Sequence, residues 1–163
     1  MDVRLALGKE LPAAHARLSE EWGDLIIVRG EVYRFTECRI LIAGEMDGLA
    51  AISGRDAPIA ELVAINAFKR RQGVGSALLD AIVAQLRGQF HTLRLTTTND
   101  NLDALRFYQR RGFRLTALRP GAVDEARRRK ASIPTKGDYG IPIRDELDLT
   151  LPIAPLTTSS ASI

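Results

Sequence analysis

The sequence predicts a mixed α/β fold, in one domain over residues 1–153. The chain has 163 residues, of which 45% are apolar and 26% are charged, a balance that is ordinary for a globular protein. Strand-like runs follow one another in the first part, whereas strand-like and helix-like segments alternate after residue 59. This order favours a mixed, mostly antiparallel central sheet of six to seven strands with helices on both faces.

The first part of the chain reads as one helix followed by a meander of strands. Apolar residues recur at helical spacing over residues 10–21, which predicts the helix. The run "DLIIVRGEVYRF" reads as a strand followed by irregular chain. Residues 38–44 and 48–54 are β-rich and flank a turn at Asp47-Gly48, so they predict a hairpin.

The second part predicts strands and helices in alternation. Residues 59–67 are again β-rich, and residues 74–87 carry an apolar stripe at helical spacing. "HTLRLTTT" alternates leucine with threonine and predicts a strand. "NDNLDALRFYQRRG" predicts a helix with Asp100 as its N-cap and Gly112 just after its end. "FRLTAL" and residues 146–151 supply the last two strands.

Two segments near the C-terminus do not fit this alternation. Residues 119–145 are rich in proline, glycine and charge, and a connection of this length is typical of a functional lid or a disordered stretch. We expect a lid there. The tail, residues 154–163, loses charge and gains serine and threonine, so we expect it to be a flexible end.

The stretch "KRRQGVG" (69–75) lies directly before a predicted helix and has the composition of an anion-binding loop. The first N–H groups of a helix lack intrahelical partners, and the helix dipole favours negative charge there. Gly73 and Gly75 have no Cβ, so a phosphate can approach the backbone closely. Three basic residues add long-range attraction. The alternative is a glycine-rich turn with solvated charges.

Two common phosphate-binding motifs do not match this loop. The nucleoside triphosphate P-loop requires Gly-Lys-Ser/Thr, whereas Gly75 is followed by Ser76 and Ala77. The dinucleotide fingerprint requires a third glycine where this chain has Leu78. What remains is the string Arg70-x-x-Gly73-x-Gly75.

That string resembles the pyrophosphate loop of the GCN5-related N-acetyltransferase (GNAT) superfamily, Gln/Arg-x-x-Gly-x-Gly/Ala. Further along, "TTNDNLDALRFYQRRGF" (97–113) is similar to the GNAT segment Asn-x-x-Ala-x-x-Phe-Tyr-x-x-x-Gly-Phe. The residues in register are Asn101, Ala104, Phe107, Tyr108, Gly112 and Phe113. The resemblance covers roughly residues 60–120 and is to bacterial members of unassigned substrate.

The resemblance implies that acetyl-CoA binds as the acetyl donor and that the acetyl group passes to a primary amine of a small molecule or peptide by direct attack. It implies that the loop and Ser76 hold the pyrophosphate, while a strand edge at 63–65 pairs with the pantetheine arm. The full set of expected cofactor-binding residues is Val63, Ala64, Ile65, Arg70, Arg71, Gln72, Gly73, Val74, Gly75, Ser76, Asn99, Asn101, Ala104, Phe107 and Tyr108.

Acyl transfer needs an acid for the departing thiolate and a base for the amine. Tyr108 matches the GNAT tyrosine that acts as the acid; the alternative is a packed helix aromatic. Glu61 lies in an otherwise apolar strand, where burial would raise its pKa and suit a base; the alternative is a structural pair with an arginine. Asn101 is either a cofactor ligand or an ordinary first-turn residue.

Composition and motifs exclude or disfavour several other classes. The single cysteine, Cys38, cannot form an internal disulfide, and no Cys/His cluster has metal-ligand spacing, so no metal is expected. The N-terminus lacks the apolar core of a signal peptide, and no apolar run approaches the ~20 residues of a membrane span. We therefore expect a cytoplasmic protein without a membrane partner.

Two other functions stay open at this point. A CoA-binding regulator would keep the fold without ordinary turnover. A nucleic-acid binder would use the basic stretches 69–71, 110–114 and 127–130, but the net charge is only +3 and no nucleic-acid motif accompanies it. The stretch 127–130 could instead bind an acidic acceptor or a CoA phosphate, or form a solvated face. A homodimer is possible.

Overall fold

The computed structural model describes residues 1–156 and gives nine strands and four α-helices within them. The strands are β1 (Val3–Leu5), β2 (Leu25–Val28), β3 (Glu31–Arg34), β4 (Arg39–Ala43), β5 (Gly48–Ser53), β6 (Ile59–Ala67), β7 (Thr92–Thr98), β8 (Arg114–Arg119) and β9 (Glu146–Pro152). The helices are α1 (Glu10–Trp22), α2 (Val74–Leu86), α3 (Leu102–Arg110) and α4 (Ala122–Arg129).

Seven strands form one sheet in the order β1-β4-β5-β6-β7-β9-β8, and β2 and β3 form a separate two-stranded sheet. Every neighbouring pair in the large sheet is antiparallel except β6 and β7, which are parallel. The fold class predicted from the sequence, a mostly antiparallel sheet with flanking helices, is confirmed.

The two faces of the sheet are covered by different helices. Val74, Leu78 and Ile82 of α2 are almost fully buried, and they pack with Tyr108 of α3 in one apolar core. On the opposite face, α1 buries Leu18 against the central strands. Each helix therefore carries one apolar stripe at helical spacing, as the sequence predicts.

The sequence did not predict strand β1 or the pairing of β2 with β3. The run "VRGE" makes a two-residue turn in which Arg29 and Gly30 both have positive φ, 53° and 72°. This conformation suits a tight hairpin, but arginine rarely adopts it. The Arg29 backbone N–H donates to the buried Glu146 carboxylate at 3.1 Å, a distant contact that holds the turn.

Residues 119–145, predicted to be a lid, contain helix α4 and are fastened to the body at several points. The Asn99 side chain binds this segment through the carbonyl of Pro142 and the N–H of Asp145. Asp100 accepts the N–H of Asp138 at 3.0 Å, so it is not the N-cap of α3; Asn101 occupies that position without a side-chain cap. A disordered stretch, the other interpretation of 119–145, is therefore wrong.

Two further expectations concern the ends of the sheet and of the chain. β8 lies at one edge of the sheet, where Leu115 and Leu118 are exposed. Pairing of two copies through such an edge stays a prediction. The expected flexible tail, 154–163, lies mostly outside the described residues.

Candidate active site

The site begins where β6 and β7 separate. These parallel strands pair only over Ile59–Glu61 and Thr92–Arg94, although β6 continues to Ala67 and β7 to Thr98. Adjacent parallel strands of a continuous sheet are normally hydrogen-bonded along their whole common length. The separation therefore leaves a gap inside the sheet and gives β6 a free edge beyond Glu61.

A β-bulge at Val63 coincides with the start of this gap. Ala51 and Ile52 are consecutive on β5, but their partners on β6 are Ala64 and Leu62, so Val63 is an extra residue. The insertion also reverses the facing of the strand, because Leu62 packs in one core and Ala64 in the other. A bulge interrupts the ladder and redirects backbone groups, often beside an active site.

A large cleft of about 1300 Å³ opens on the α2–α3 side of the gap. Most residues that the sequence named for the cofactor line it: Val63, Ala64, Ile65, Arg70, Arg71, Gly73, Val74, Gly75, Ser76, Asn101, Ala104, Phe107 and Tyr108. Gln72 and Asn99 are not in its lining. Gln72 is exposed in the loop, and Asn99 is hydrogen-bonded to the segment 119–145.

The glycine loop has the conformation of an anion cradle. Gly73 precedes α2 with φ 74° and ψ 13°, and a Cβ built on it would meet no atom within 4 Å. Arg71 also has a positive φ, 61°. Gly73 directly precedes the first turn of α2, where N–H groups have no intrahelical partner. The loop therefore fits a phosphate group closely against its backbone.

Basic side chains that the sequence interpretation did not assign to the cofactor also line the cleft. Arg106, Arg110 and Arg111 of α3 and the following turn face the loop that carries Arg70 and Arg71. The Arg111 guanidinium lies 3.8 Å from the Phe107 ring centroid and donates to the Ser76 hydroxyl. The helical spacing of these arginines is visible in the sequence, but their side facing the loop depends on how α3 packs.

Tyr108 lies in the wall of the cleft with its ring between two phenylalanines. Its ring centroid is 5.3 Å from both Phe107 and Phe113, in edge-on arrangements. Within residues 1–156 its hydroxyl makes no hydrogen bond. Burial raises the pKa of the Tyr108 phenol well above its usual value, so the group stays protonated at neutral pH. The phenol is therefore a proton donor without a partner in the described part of the chain.

The surroundings of Glu61 differ from those expected of a catalytic base. Its carboxylate is 3% exposed, accepts from Arg29 at 2.9 and 3.0 Å and from Arg94 at 2.7 Å, and does not line either cavity described in this section. Burial raises the pKa of Glu61, and the two guanidinium groups oppose that rise. This is the structural pair with an arginine that the sequence left open as the alternative.

A second cavity, of about 580 Å³, lies on the opposite side of the gap. Its walls come from the end of α1, strand β2, helix α4 and the chain around residues 132–134. It is mainly apolar and includes Ile27, Val123 and Ile143, with the buried Glu146 among its few charged groups. No sequence motif indicates this cavity, because the segments that form its walls are far from one another along the chain.

The two cavities meet at the gap. Val63, Thr96, Thr97 and Asn101 line both, and so does Trp22 from the end of α1. The Trp22 indole N–H donates to the Asn66 side chain at 2.5 Å, so it bridges α1 and β6. Asn101 donates to the Thr97 hydroxyl at 3.0 Å, which fixes its orientation at the junction. A molecule from each side could therefore be brought together at this point.

The basic stretch 127–130 mostly binds its own chain. Arg127 donates to the carbonyl of Ile143 at 2.9 Å, Arg129 to that of Gly30 at 2.8 Å, and Lys130 to that of Leu25 at 2.6 Å. These groups tie α4 to the β2–β3 hairpin and to the segment that follows it. Arg128 and Arg129 are exposed, so a solvated face and an acidic ligand stay predictions for this stretch.

Residues 1–156 contain no cluster of three or more His, Cys, Asp or Glu side chains placed for a metal ion. No helix in the described range is both long and apolar enough to cross a membrane.

Comparison with known proteins now gives the family. The model of the acetyltransferase (GNAT) family matches residues 9–113, more than half of the chain. The chain belongs to the GNAT acetyltransferase family. The resemblance seen in the two sequence motifs is thus confirmed.

Individual relatives of this GNAT protein agree with the assignment. The uncharacterized protein YdhI of Bacillus subtilis (strain 168) is 36% identical over 115 residues, which cover 63% of this chain and 72% of that protein. A GNAT family acetyltransferase from Elizabethkingia anophelis, solved with acetyl-CoA bound, superposes with a TM-score of 0.70 at 19% identity, covering 93% of this chain and 97% of that one. A Bacillus subtilis acetyltransferase in complex with CoA gives 0.64 at 20% identity, covering 93% and 98%. These two structures show the same fold.

Proposed function

We propose that this chain is an acetyl-CoA-dependent N-acetyltransferase that moves an acetyl group to a primary amine of a small molecule or peptide. The observation that carries the proposal is the junction of two cavities on opposite sides of the β6–β7 gap. One cavity has a basic, glycine-lined mouth that suits a polyphosphate, and the other is mainly apolar. Both would deliver their occupants to the same point, as direct attack requires.

The residues of the larger cleft fit acetyl-CoA, which supplies an acetyl group activated as a thioester. The open space at Gly73 suits the pyrophosphate, and the arginines at 70, 71, 106, 110 and 111 suit the phosphate charges. The free edge of β6 from Val63 to Ile65 suits an extended, amide-containing arm, which can add to it as a strand does.

The chain's own groups supply what acyl transfer asks for. Tyr108, protonated and without a hydrogen-bond partner within residues 1–156, is the proton donor for the departing thiolate. The Val63 bulge frees backbone groups from the ladder, and the N–H of Val63 or Ile65 is the donor to the developing oxyanion. Asn101 at the junction, whose amide donates to Thr97, orients the two occupants through its remaining hydrogen-bonding groups.

Glu61 is unsuited to the role of base because two arginines already hold its carboxylate. We propose that the amine instead loses its proton to a group on the side of the smaller cavity. A role as a CoA-binding regulator is less well supported, since the second cavity would then have no purpose. Nucleic-acid binding is also less well supported, because three of the four basic residues at 127–130 bind carbonyl groups of the chain itself.

Calorimetric titration with acetyl-CoA, run beside ATP and NADH, tests the first part of the proposal. We expect micromolar binding of acetyl-CoA alone. Release of free thiol in the presence of an amine panel, with the acetylated product identified by mass spectrometry, tests the second part. Absence of acetyl-CoA binding would refute the assignment of the cleft, and binding without transfer to any amine would favour the regulator.

A further inference from the structure

The smaller cavity has features that narrow the class of acceptor. It measures about 580 Å³, which is the size of a site for one small molecule. Ile27, Val123, Ala126 and Ile143 in its walls are all at most 9% exposed, so its surface is a built apolar pocket. This part of the wall stabilises an apolar body and offers a hydroxyl-rich molecule no hydrogen-bond partners; the polar side chains of the lining lie elsewhere in it, among them Thr96, Thr97 and Asn101 at the junction.

Glu146 is the buried charged group in this pocket, and its two carboxylate oxygens are used unequally. Oε2 accepts from Arg119 at 3.0 Å and from the Arg29 backbone N–H at 3.1 Å. Oε1 has only a longer contact, 3.3 Å, with that same N–H. Since a carboxylate oxygen can accept two hydrogen bonds, Oε1 keeps capacity for a donor from outside the chain, as far as residues 1–156 show.

The cations around the pocket are already engaged. Arg119 also binds Asp148 at 2.6 and 2.7 Å, and Arg29 binds Glu61 at 2.9 Å. Lys130 donates to the carbonyls of Trp22 and Leu25, both at 2.6 Å, and burial lowers its pKa. Within residues 1–156 two of the three N–H groups of Lys130 are already used, so a carboxylate or phosphate on the acceptor would find at most one N–H of a basic side chain in the walls, while its own charge would be desolvated.

Exposed carboxylates belong to the lining of the pocket. Glu20 and Glu21 at the end of α1 are exposed and belong to its lining. Glu20 pairs with Arg17 at 2.8 Å, whereas Glu21 has no ion-pair partner within residues 1–156. With Glu146 the lining holds three carboxylates and one ammonium, that of Lys130. This balance attracts a cationic amine from solvent and repels an anionic one.

Glu146 lies one strand away from the gap. It lies on β9 directly opposite Thr98 of β7, on the same side of the sheet as Thr96, which binds Asp148. Neighbouring strands are about 5 Å apart, so a nitrogen on Oε1 lies within about two strand spacings of the gap.

We propose that this pocket takes a compact primary amine with an apolar body, and that Oε1 of Glu146 binds the amine nitrogen. The apolar body packs between β2 and α4. The inference rests on the proposed acetyltransferase function and adds the acceptor class and the residue that selects it. Amines bearing a carboxylate, and large polyhydroxylated amines, are excluded as good acceptors.

The first test compares acceptors with the wild-type protein. Initial rates of thiol release are measured with acetyl-CoA and, in turn, 2-phenylethylamine, hexylamine, L-glutamate and an aminoglycoside. We expect kcat/KM for the first two to exceed that for the last two by at least about 100-fold. A preference for glutamate or the aminoglycoside would overturn the inference while leaving the acetyltransferase proposal intact.

Binding is followed separately, so that the two proposals can fail independently. Trp22 is the only tryptophan of the chain and lines both cavities, so its fluorescence is a reporter for either occupant. We expect acetyl-CoA and 2-phenylethylamine each to change it with saturation, and 3-phenylpropanoate to have no effect. A response to acetyl-CoA with none to the amines would overturn the acceptor inference alone. No response to acetyl-CoA, confirmed by calorimetry, would overturn both.

Variants test whether the carboxylates of the pocket select the amine. Glu146→Gln should raise KM for 2-phenylethylamine at least about tenfold without weakening acetyl-CoA binding, because a charge-assisted hydrogen bond is lost. Because Glu146→Gln also weakens the ion pair with Arg119, a second variant is needed at an exposed residue. Glu21→Lys should raise KM for 2-phenylethylamine several-fold. Glu45→Lys, outside both cavities, is the matched control. Unchanged KM in both Glu146→Gln and Glu21→Lys would overturn the proposal.

Discussion

Removal of the Tyr108 hydroxyl should slow turnover while leaving the fold and cofactor affinity in place. The ring is 6% exposed and packs 5.3 Å from both Phe107 and Phe113, and a phenylalanine keeps these contacts. Because the hydroxyl has no hydrogen-bond partner within residues 1–156, Tyr108→Phe should change the free energy of unfolding by less than about 1 kcal/mol.

The expected loss is in the chemical step. A positioned general acid contributes about 10²- to 10⁴-fold, so kcat should fall by that factor, equivalent to about 3–5.5 kcal/mol of activation free energy. Since burial raises the pKa of Tyr108 above its ordinary value near 10, the phenol stays protonated and effective throughout about pH 6–9. The acid contribution should therefore not decline with rising pH in that range.

The assay is thiol release under saturating acetyl-CoA at several pH values, with cofactor affinity measured by calorimetry. Tyr139→Phe is the matched control, since it removes the same atom from an exposed tyrosine whose hydroxyl binds Asp103 at 2.7 Å. A Tyr108→Phe enzyme that keeps kcat within about threefold of the wild type across this pH range would refute the acid role.

Three other perturbations test the loop and the buried charges. Gly73→Asp should abolish acetyl-CoA binding in calorimetry, because it places a carboxylate in the phosphate position. Gly73→Asn has a side chain of equal size without the charge and tolerates a positive φ, so it should retain measurable affinity. Equal loss of affinity in both variants would argue against a phosphate there. Glu61→Ala should lower the free energy of unfolding by about 3–5 kcal/mol in urea, because Arg29 and Arg94 lose a buried partner; wild-type stability with slow turnover would instead support a role as base. Burial alone would raise the pKa of Asp148, but the hydrogen bonds it accepts hold that pKa below its ordinary 3.8, so its stabilising contribution is present above pH 3.8 and is lost as the pH falls below it. The stability difference between the wild type and Asp148→Asn should therefore shrink on acidification; a difference that stays constant down to about pH 2 would contradict this reasoning.

Much of the fold was predictable because its signals are local. The apolar stripe of residues 74–87 and the alternation of residues 91–98 reflect the geometry of a helix and a strand, and the structure has α2 at Val74–Leu86 and β7 at Thr92–Thr98. The same holds for the glycine loop, residues 69–75, since the positive φ of Gly73 suits a residue without a Cβ.

Distant contacts decided what the sequence could not indicate. At the hairpin turn, Glu146 and Glu61, far along the chain, bind the backbone and the side chain of Arg29 and stabilise its positive φ. That same contact makes Glu61 a structural carboxylate, although its sequence context suited a base. Local propensity has no information about such partners, and burial without water makes them decisive.

By itself, the sequence determined the GNAT family and the course of the central strands and helices, and it named the glycine loop and Tyr108 as candidates for the donor side. Only the tertiary structure decided where β6 and β7 separate, that Val63 is the extra residue there, and that a second, apolar pocket meets the cleft at the gap. Motifs of the donor side are short because one loop and one helix build them. The acceptor pocket draws on α1, β2, α4 and β9, and these come together only when the sheet and its two faces have formed.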